Sequence, residues 1–413
     1  MPERLFALFQ PAYHFTLAFL AALWFGFPSR DIKVIGVTGT KGKSSTVEIL
    51  NAILEEAGFK TALSNTIRFK IGAGSSENLY KMSMPGRFFI QKLIRQAVQA
   101  GCEYFIVEIT SQGALLYRHR FIELDTLVFT NLSPEHIEAH GSYENYAKAK
   151  LSVAKNMARS SKPRRTIIAN ADDKESGRFL DCRADRTITF GIHDTEPYVL
   201  KKEGLEFFFG GQKVHSPLRG LFNLYNILAA AAAARNEGVS DKKIAEAVRK
   251  FAIIPGRLEK IEAGQNYTVI VDYAHTPDSL EKLYQTFEST RKICVLGGTG
   301  GGRDTWKRAE MGGIADAHCD QIILTNEDPY DEDPKKIVAD VAKGIINKKA
   351  VIIMDRREAI RLALRSAGAG DAVLITGKGT DPFIMGPQES KIPWSDAKIT
   401  EEEIREMLQS EKP

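Results

Sequence analysis

The stretch VIGVTGTKGKSSTVEIL, residues 34–50, decides the fold. A β-branched apolar run, IKVIGV (32–37), leads into Thr38-Gly39-Thr40-Lys41-Gly42-Lys43-Ser44-Ser45 and then into a helical pattern. A glycine-rich turn between a strand and a helix lets backbone N–H groups cradle phosphate oxygens, and the helix dipole adds to their pull. Lys43 is placed to set its ammonium on the β- and γ-phosphates, and the Ser44 hydroxyl to ligate Mg2+. The spacing departs from G-x-x-x-x-G-K-[ST], because residue 37 is valine and the nearby glycines are Gly36 and Gly39. Glycine-rich turns arise by chance, but strand, helix and Lys-Ser pair together point to ATP.

Outward from this loop, short β-branched runs alternate with helical stretches, the pattern of parallel sheets built from βαβ units. EYFIVEI (103–109), DTLVFT (125–130) and RTIIAN (165–170) read as strands, and a Gly- and aromatic-rich region near 205–212 reads as a hairpin. An alanine-rich helix follows over 227–236. Ile254-Pro255-Gly256-Arg257 reads as a linker, since Pro and Gly together stop a helix. Beyond it the alternation restarts with YTVIVDY (267–273), KICVLGG (292–298), DQIILT (320–325), AVIIMD (350–355) and AVLIT (372–376). The expected fold is therefore α/β: a P-loop-type central ATPase domain with a parallel sheet, then a Rossmann-like C-terminal α/β domain. The expected boundaries are a lead segment over 1–30, a central domain over 31–255 and a C-terminal domain over 256–413.

Composition restricts the alternatives. The 413 residues carry 56 basic and 52 acidic side chains, and a formal charge of +4 is too small for a nucleic-acid surface. Cys102, Cys182, Cys294 and Cys319 are scattered without a C-x-x-C pair, so reduced core thiols in a cytoplasmic protein are expected. FTLAFLAALWFGF (15–27) is apolar on every side, yet shorter than the roughly 20 residues a bilayer span needs. It lacks the basic n-region and A-x-A-like site of a secretory signal. Two readings stay open: a helix packed on the body, or a monotopic helix that makes a peripheral membrane contact through Trp24 and the flanking Arg4 and Arg30.

TGTKGKSS is similar to the T-G-T-x-G-K-[ST]-[ST] loop of the Mur ligase superfamily, and further motifs follow in that family's order. VEITSQG (107–113) resembles E-V-S-S-H-G, and TNLSPEHIEAHGSYENYAKAK (130–150) resembles T-N-L-x-x-D-H-L-D-x-H-G with the lysine after it. GLFNLYNILAA (220–230), DYAHTPDSL (272–280) and GGTGGGRDTWKR (297–308) match later motifs. The resemblance is nearest to the tripeptide-synthetase branch, which adds the third residue of the stem peptide. It implies an ATP-dependent ligase that joins an amino acid to a muramyl-peptide precursor through an acyl phosphate, acting as a monomer.

By the same resemblance, Gly39, Thr40, Lys41, Gly42, Lys43, Ser44, Ser45 and Asn226 bind ATP, with Asn226 near the adenine. Arg257, Asp272 and His275 join them. Lys43, Glu108, His136 and Lys150 are the implied catalytic set, and two Mg2+ ions are implied, one on Ser44 and one on Glu108 and His136. Lys150 matches the family's carbamylated lysine: a bare ammonium repels Mg2+, whereas a carbamate supplies the oxygen ligands that the ion prefers. Read without the family, Lys150 is a surface lysine beside Lys148 and Lys155. His136 and His140 are four apart, but Ile137 stands where a zinc protease needs its glutamate, which excludes that chemistry. His140 reads as structural.

Departures mark where substrate recognition changes. Only the apolar stretch and a short lead precede the loop, where the family has a UDP-binding domain. The expected acceptor is therefore held by its peptide end or carried on something else, such as a lipid. Glu327-Asp328-Pro329-Tyr330 stands for the D-N-P-R that selects diaminopimelate, with Tyr330 at the arginine that forks onto a distal carboxylate. With Asp331 and Asp381 nearby, lysine or another diamine is expected; these acids read equally as a solvated loop. Arg303 lies in the opening motif of the C-terminal domain and joins this substrate set. Gln112 replaces a histidine and Glu135 an aspartate. Arg87, in Ser83-Met84-Pro85-Gly86-Arg87, is a candidate for a substrate carboxylate.

Two other readings remain. Folylpolyglutamate synthetase belongs to the same superfamily and also lacks the UDP-binding domain. A non-catalytic scaffold subunit would show damage at Lys43, Glu108, His136 or Lys150, and all four are intact.

Overall fold

The computed structural model describes residues 2–303 and 305–410, with side chains from residue 10 onward; Arg4 and Asp304 lie outside the described side chains. The chain folds as two units, residues 1–252 and 253–413. In the first, an eight-stranded sheet comprises β1 (Lys33–Thr38), β2 (Thr61–Ser64), β3 (Arg68–Ile71), β4 (Gly74–Glu77), β5 (Tyr104–Ile109), β6 (Thr126–Phe129), β7 (Thr166–Asn170) and β8 (Arg186–Phe190). Their order is β4-β3-β2-β5-β1-β6-β7-β8. The run from β2 to β8 is parallel, and β3 and β4 extend one edge antiparallel. The middle strands are buried almost end to end, which explains their near-continuous apolar sequence.

The α-helices described in this unit are α1 (Pro2–Trp24), α2 (Lys43–Glu56), α3 (Arg87–Gln99), α4 (Ser111–Leu115), α5 (Ile137–His140), α6 (Tyr143–Met157), α7 (Ser176–Leu180), α8 (Leu221–Asn236) and α9 (Asp241–Lys250). Ile90 and Ile94 of α3 and Tyr146 and Val153 of α6 share a core with Phe105 and Phe129 of the sheet. On α8, Ala229 to Ala231 are fully buried, and these small side chains let α2 pack closely along it. The expected hairpin is β10 (Gly204–Phe209) with β11 (Gln212–Ser216), and β9 (Val199–Lys201) completes a three-stranded sheet.

The second unit holds β12 (Glu259–Lys260), β13 (Thr268–Asp272), β14 (Lys292–Leu296), β15 (Gln321–Leu324), β16 (Ala350–Ile352) and β17 (Ala372–Thr376), in the order β12-β13-β17-β14-β15-β16. All but β12 run parallel. Here one expectation is corrected. Cys294 and Cys319 form a disulfide rather than two reduced thiols, while Cys102 and Cys182 are free. Cys294 lies on β14 and Cys319 just ahead of β15, and the pairing of those strands brings together residues 25 apart in sequence.

The apolar N-terminal stretch belongs to α1, which buries Ala18, Ala21 and Ala22 against the first unit. Among the described residues no helix is long and apolar enough to cross a membrane.

Candidate nucleotide and metal site

The loop from Thr38 to Ser45 takes its shape from two glycines. At Gly39 φ is 151°, and a Cβ would lie 2.0 Å from Thr130 Oγ1; at Gly42 φ is 81°, and a Cβ would lie 2.2 Å from Asn226 Oδ1. Neither position admits another residue without moving a wall of the cradle. The TNL segment after β6 fixes the loop from outside. Thr40 N donates to Asn131 O (2.8 Å), Lys41 N to Asn131 Oδ1 (2.9 Å), and Thr130 Oγ1 to Lys41 O (2.8 Å). Thr40 Oγ1 also meets the Tyr146 hydroxyl at 2.9 Å. Ser44 and Ser45 sit buried in the first turn of α2, and Lys43 Nζ donates to Thr40 O at 2.7 Å.

Parallel pairing sets Val37 beside Glu108, so the carboxylate of β5 arrives next to the loop. Ser44 Oγ donates to Glu108 Oε2 at 2.8 Å, and Thr66 donates to the same carboxylate through N and Oγ1 at 3.1 Å. From α6, Lys150 reaches under the loop and donates to Gly39 O at 2.5 Å. It is 2% exposed, not a surface lysine. Burial first, then the charges of Lys43 and Lys41, hold its pKa well below the usual lysine range against the opposing pull of Glu135 and Glu108. Lys41 Nζ pairs with Glu135 Oε1 at 2.8 Å.

His136 stands in the left-handed conformation (φ 56°) ahead of α5. Although its outer edge is exposed, desolvation lowers it to about 4; Lys150, Lys41 and Lys43 act in the same sense and Glu135 opposes. His140 closes α5 before Gly141, with Nε2 3.2 Å from Ser111 Oγ. Asn226 donates to Asn223 Oδ1 at 3.0 Å and stands against Gly42, beside the phosphate loop itself. The donor set of hydroxyl, buried carboxylate, imidazole and an amine of lowered pKa, together with a cradle that any Cβ would fill, fits a magnesium nucleotide.

The remaining candidates lie elsewhere. Arg87 opens α3 and is engaged by His14 Nδ1 of α1 at 2.6 Å and by Leu116 O at 2.5 Å. Arg257, Asp272 and His275 cluster at the C-terminal end of β13. Arg257 stacks 4.2 Å over Tyr273, Asp272 accepts from Leu258 N and Ala274 N, and His275 Nδ1 meets Tyr273 O at 2.6 Å. Arg303, Glu327, Asp328, Tyr330 and Asp381 gather on loops after β14, β15 and β17, the strand ends where parallel sheets receive ligands. Arg303 donates to the Tyr330 hydroxyl at 3.0 Å.

The acids of this second group are less available than the sequence suggests. Asp328 accepts from buried Lys378 at 2.7 Å, and Asp381 lies 3.5 Å from the same ammonium. Glu327 is buried, accepts from Thr299 Oγ1 at 2.7 Å, and burial raises its pKa. Lys378, Thr66, Asn131 and Tyr146 are missing from the sequence-based set. Thr130 and Asn131 lie in the quoted TNL motif and could have been read as loop braces; nothing local marks Thr66.

A glycine-built phosphate loop on a parallel sheet, followed by a second α/β unit, is the architecture of a nucleotide-driven enzyme. The Mur ligase middle-domain model matches residues 37–234, and the model of the Mur ligase glutamate ligase domain matches 256–379. The chain belongs to the Mur ligase family of ATP-dependent, ADP-forming ligases. It is 35% identical to UDP-N-acetylmuramoyl-L-alanyl-D-glutamate--2,6-diaminopimelate ligase of Syntrophomonas wolfei, over 96% of this chain and 83% of that protein. It is 36% identical to UDP-N-acetylmuramyl-tripeptide synthetase of a Roseiflexus species, over 95% and 82%. A solved diaminopimelate ligase structure superposes with a TM-score of 0.62 at 27% identity, covering 91% of this chain and 79% of that one. Folylpolyglutamate synthase of Mycobacterium tuberculosis shares the fold, with a TM-score of 0.71 at 16% identity over 89% and 93%.

Proposed function

We propose that this chain is an ATP-dependent amide ligase that adds an amino acid to a muramyl-peptide precursor in peptidoglycan synthesis, in the cytoplasm and as a monomer. The observation that carries the reading is Lys150: a buried amine of lowered pKa, held against the phosphate loop beside Ser44 and Glu108. An uncharged amine can attack CO2, forming a carbamate and releasing one proton. That exchanges a repelled cation for an oxygen ligand.

In this mechanism the loop N–H groups and Lys43 hold the β- and γ-phosphates of ATP. Ser44, Glu108, His136 and carbamylated Lys150 would hold two magnesium ions, which neutralise the charge that builds as a carboxylate meets a phosphate. The precursor carboxylate attacks the γ-phosphorus, ADP leaves, and an acyl phosphate forms. The amine of the incoming amino acid then attacks the acyl carbon; phosphate leaves, and the amine loses a proton. Arg257, Asp272 and His275 are the proposed nucleotide contacts of the second unit, and Arg87 the contact for a precursor carboxylate.

The added amino acid is proposed to be lysine or another diamine in preference to diaminopimelate. Tyr330, tied to Arg303, stands where a distal carboxylate would need a free arginine. Lys378 offsets Asp328 and lies beside Asp381, which leaves exposed Asp331 as the acid proposed to meet a distal ammonium. Residues 15–27 are proposed to contact the inner face of the membrane.

Phosphate release from ATP, measured across a panel of amino acids with UDP-MurNAc-dipeptide and separately with its lipid-linked form, tests this reading. Release with diamines alone supports it, and the preferred carrier identifies the acceptor. Release with diaminopimelate alone would reverse the amino-acid assignment.

A further inference from the structure

Helix α1 shows the solvent a face that an ordinary surface helix does not. Between Gln10 and Trp24 it carries no Asp, Glu, Lys or Arg, and its outer side presents Tyr13, Phe15, Phe19, Leu20, Leu23 and Trp24, the last 80% exposed. Its inner side is already satisfied by the body of the unit, and on the outer side Phe15 and Phe19 touch Phe121 and Phe27 only at one edge, while Leu20, Leu23 and Trp24 stay exposed. Contiguous exposed apolar surface of this kind marks an interaction site.

One edge of that face opens into a cleft of about 240 Å³, whose lining includes Phe15, Phe121, Arg30, Arg120, Arg159 and Glu123. The aromatic wall is continuous with α1: Phe15 and Phe19 both pack edge-on to Phe121, at 5.1 and 5.4 Å. The other wall is cationic. Three arginines stand against a single carboxylate, and Glu123 is held by Arg30 at 2.8 Å. Arg120 gives one N–H to Asn156 Oδ1 at 2.6 Å, while its buried Nε has no hydrogen-bond partner. Arg159 is exposed, and its charge bears on Arg120 in the repulsive sense. Glu123 is taken by Arg30, and among the described residues neither Arg120 nor Arg159 forms an ion pair with an acid.

We infer that this cleft receives the phosphate of an anionic phospholipid while the outer face of α1 lies in the membrane interface. The arrangement is that of a monotopic element: aromatic side chains enter the boundary, and arginines of the adjoining cleft meet the headgroups. The cleft's net charge of +2, three arginines less Glu123, selects an anionic over a zwitterionic surface. The inference deepens the peripheral contact proposed for residues 15–27 and is independent of the ligase chemistry. It gives the enzyme a reason to work where a lipid-carried acceptor would be found.

The test is flotation of the full-length protein with vesicles of phosphatidylglycerol in phosphatidylcholine, and with vesicles of phosphatidylcholine alone. The expected result is stronger binding to the anionic vesicles, weakened by salt. Arg120→Gln with Arg159→Gln should cost about fivefold per arginine on anionic vesicles and nothing on neutral ones. Arg159→Gln alone, at an exposed position, gives the same reading if the double variant misfolds. Leu23→Asp with Trp24→Asp should abolish binding to both. Equal binding of the wild type to both vesicle types, or full anionic binding by the arginine variants, would overturn the headgroup site and leave the contact standing. Failure of the wild type to bind any vesicle would remove both.

Discussion

At the scale of single residues the account turns on Lys150 and Gly39, which meet in one hydrogen bond. Lys150→Ala is expected to lower kcat by about 100-fold, since on the proposed mechanism it would delete a ligand that stabilises charge where it develops. Nucleotide binding should persist, and stripping CO2 from the buffer should depress the wild type alone. Steady-state kinetics in degassed and bicarbonate-supplied buffer check this; full activity of the variant would end the carbamate reading. Gly39→Ala forces a Cβ to 2.0 Å from Thr130 Oγ1 at a φ of 151°. Its backbone strain should weaken ATP binding by about tenfold, as titration calorimetry would measure. The loop was legible in the sequence because its residues are consecutive and each has a local job. The Thr66 bonds to Glu108 were not, because they span 42 residues and depend on which strands neighbour β5. Asp328 misled for the same reason: its neutralising lysine is 50 residues away.

At the scale of elements, strands such as β5 and β7 were readable because burial on both faces demands an unbroken apolar run. The edge strands β3 and β4 carry RFKI and the exposed GSSE, which have no such signature, and they escaped the sequence reading. The disulfide escaped because sheet pairing, not sequence spacing, brings its cysteines together. His119, in the connection from α4 to β6, ties an element to pH. It is buried, and its pKa is pushed down to about 3, by burial first and by the charge of Arg120 second. Between pH 6.5 and 3 the unfolded chain therefore binds a proton that the folded one refuses. Stability should therefore drop as the pH is lowered from 6.5 towards 3, by up to about 1.4 kcal/mol per unit from this group. His119→Leu should flatten the dependence of Tm on pH between 6 and 4; parallel curves for variant and wild type would refute the assignment.

At the scale of the whole molecule, each unit has its own sheet and its own core. Differential scanning calorimetry should accordingly show that saturating ATP analogue raises the transition containing the phosphate loop, by about 2.7 kcal/mol at a hundredfold excess over Kd. A single unshifted transition would mean that the loop does not bind the nucleotide. The central claim, that ATP energy is spent on an amide bond through an acyl phosphate, has a direct test. The precursor is labelled with 18O in its reacting carboxylate, and the released phosphate is analysed by mass spectrometry with a diamine as the second substrate. The account predicts one amide and one ADP per turnover, with one labelled oxygen carried into the phosphate. Amide formed with the label absent from phosphate, or released with AMP, would contradict it.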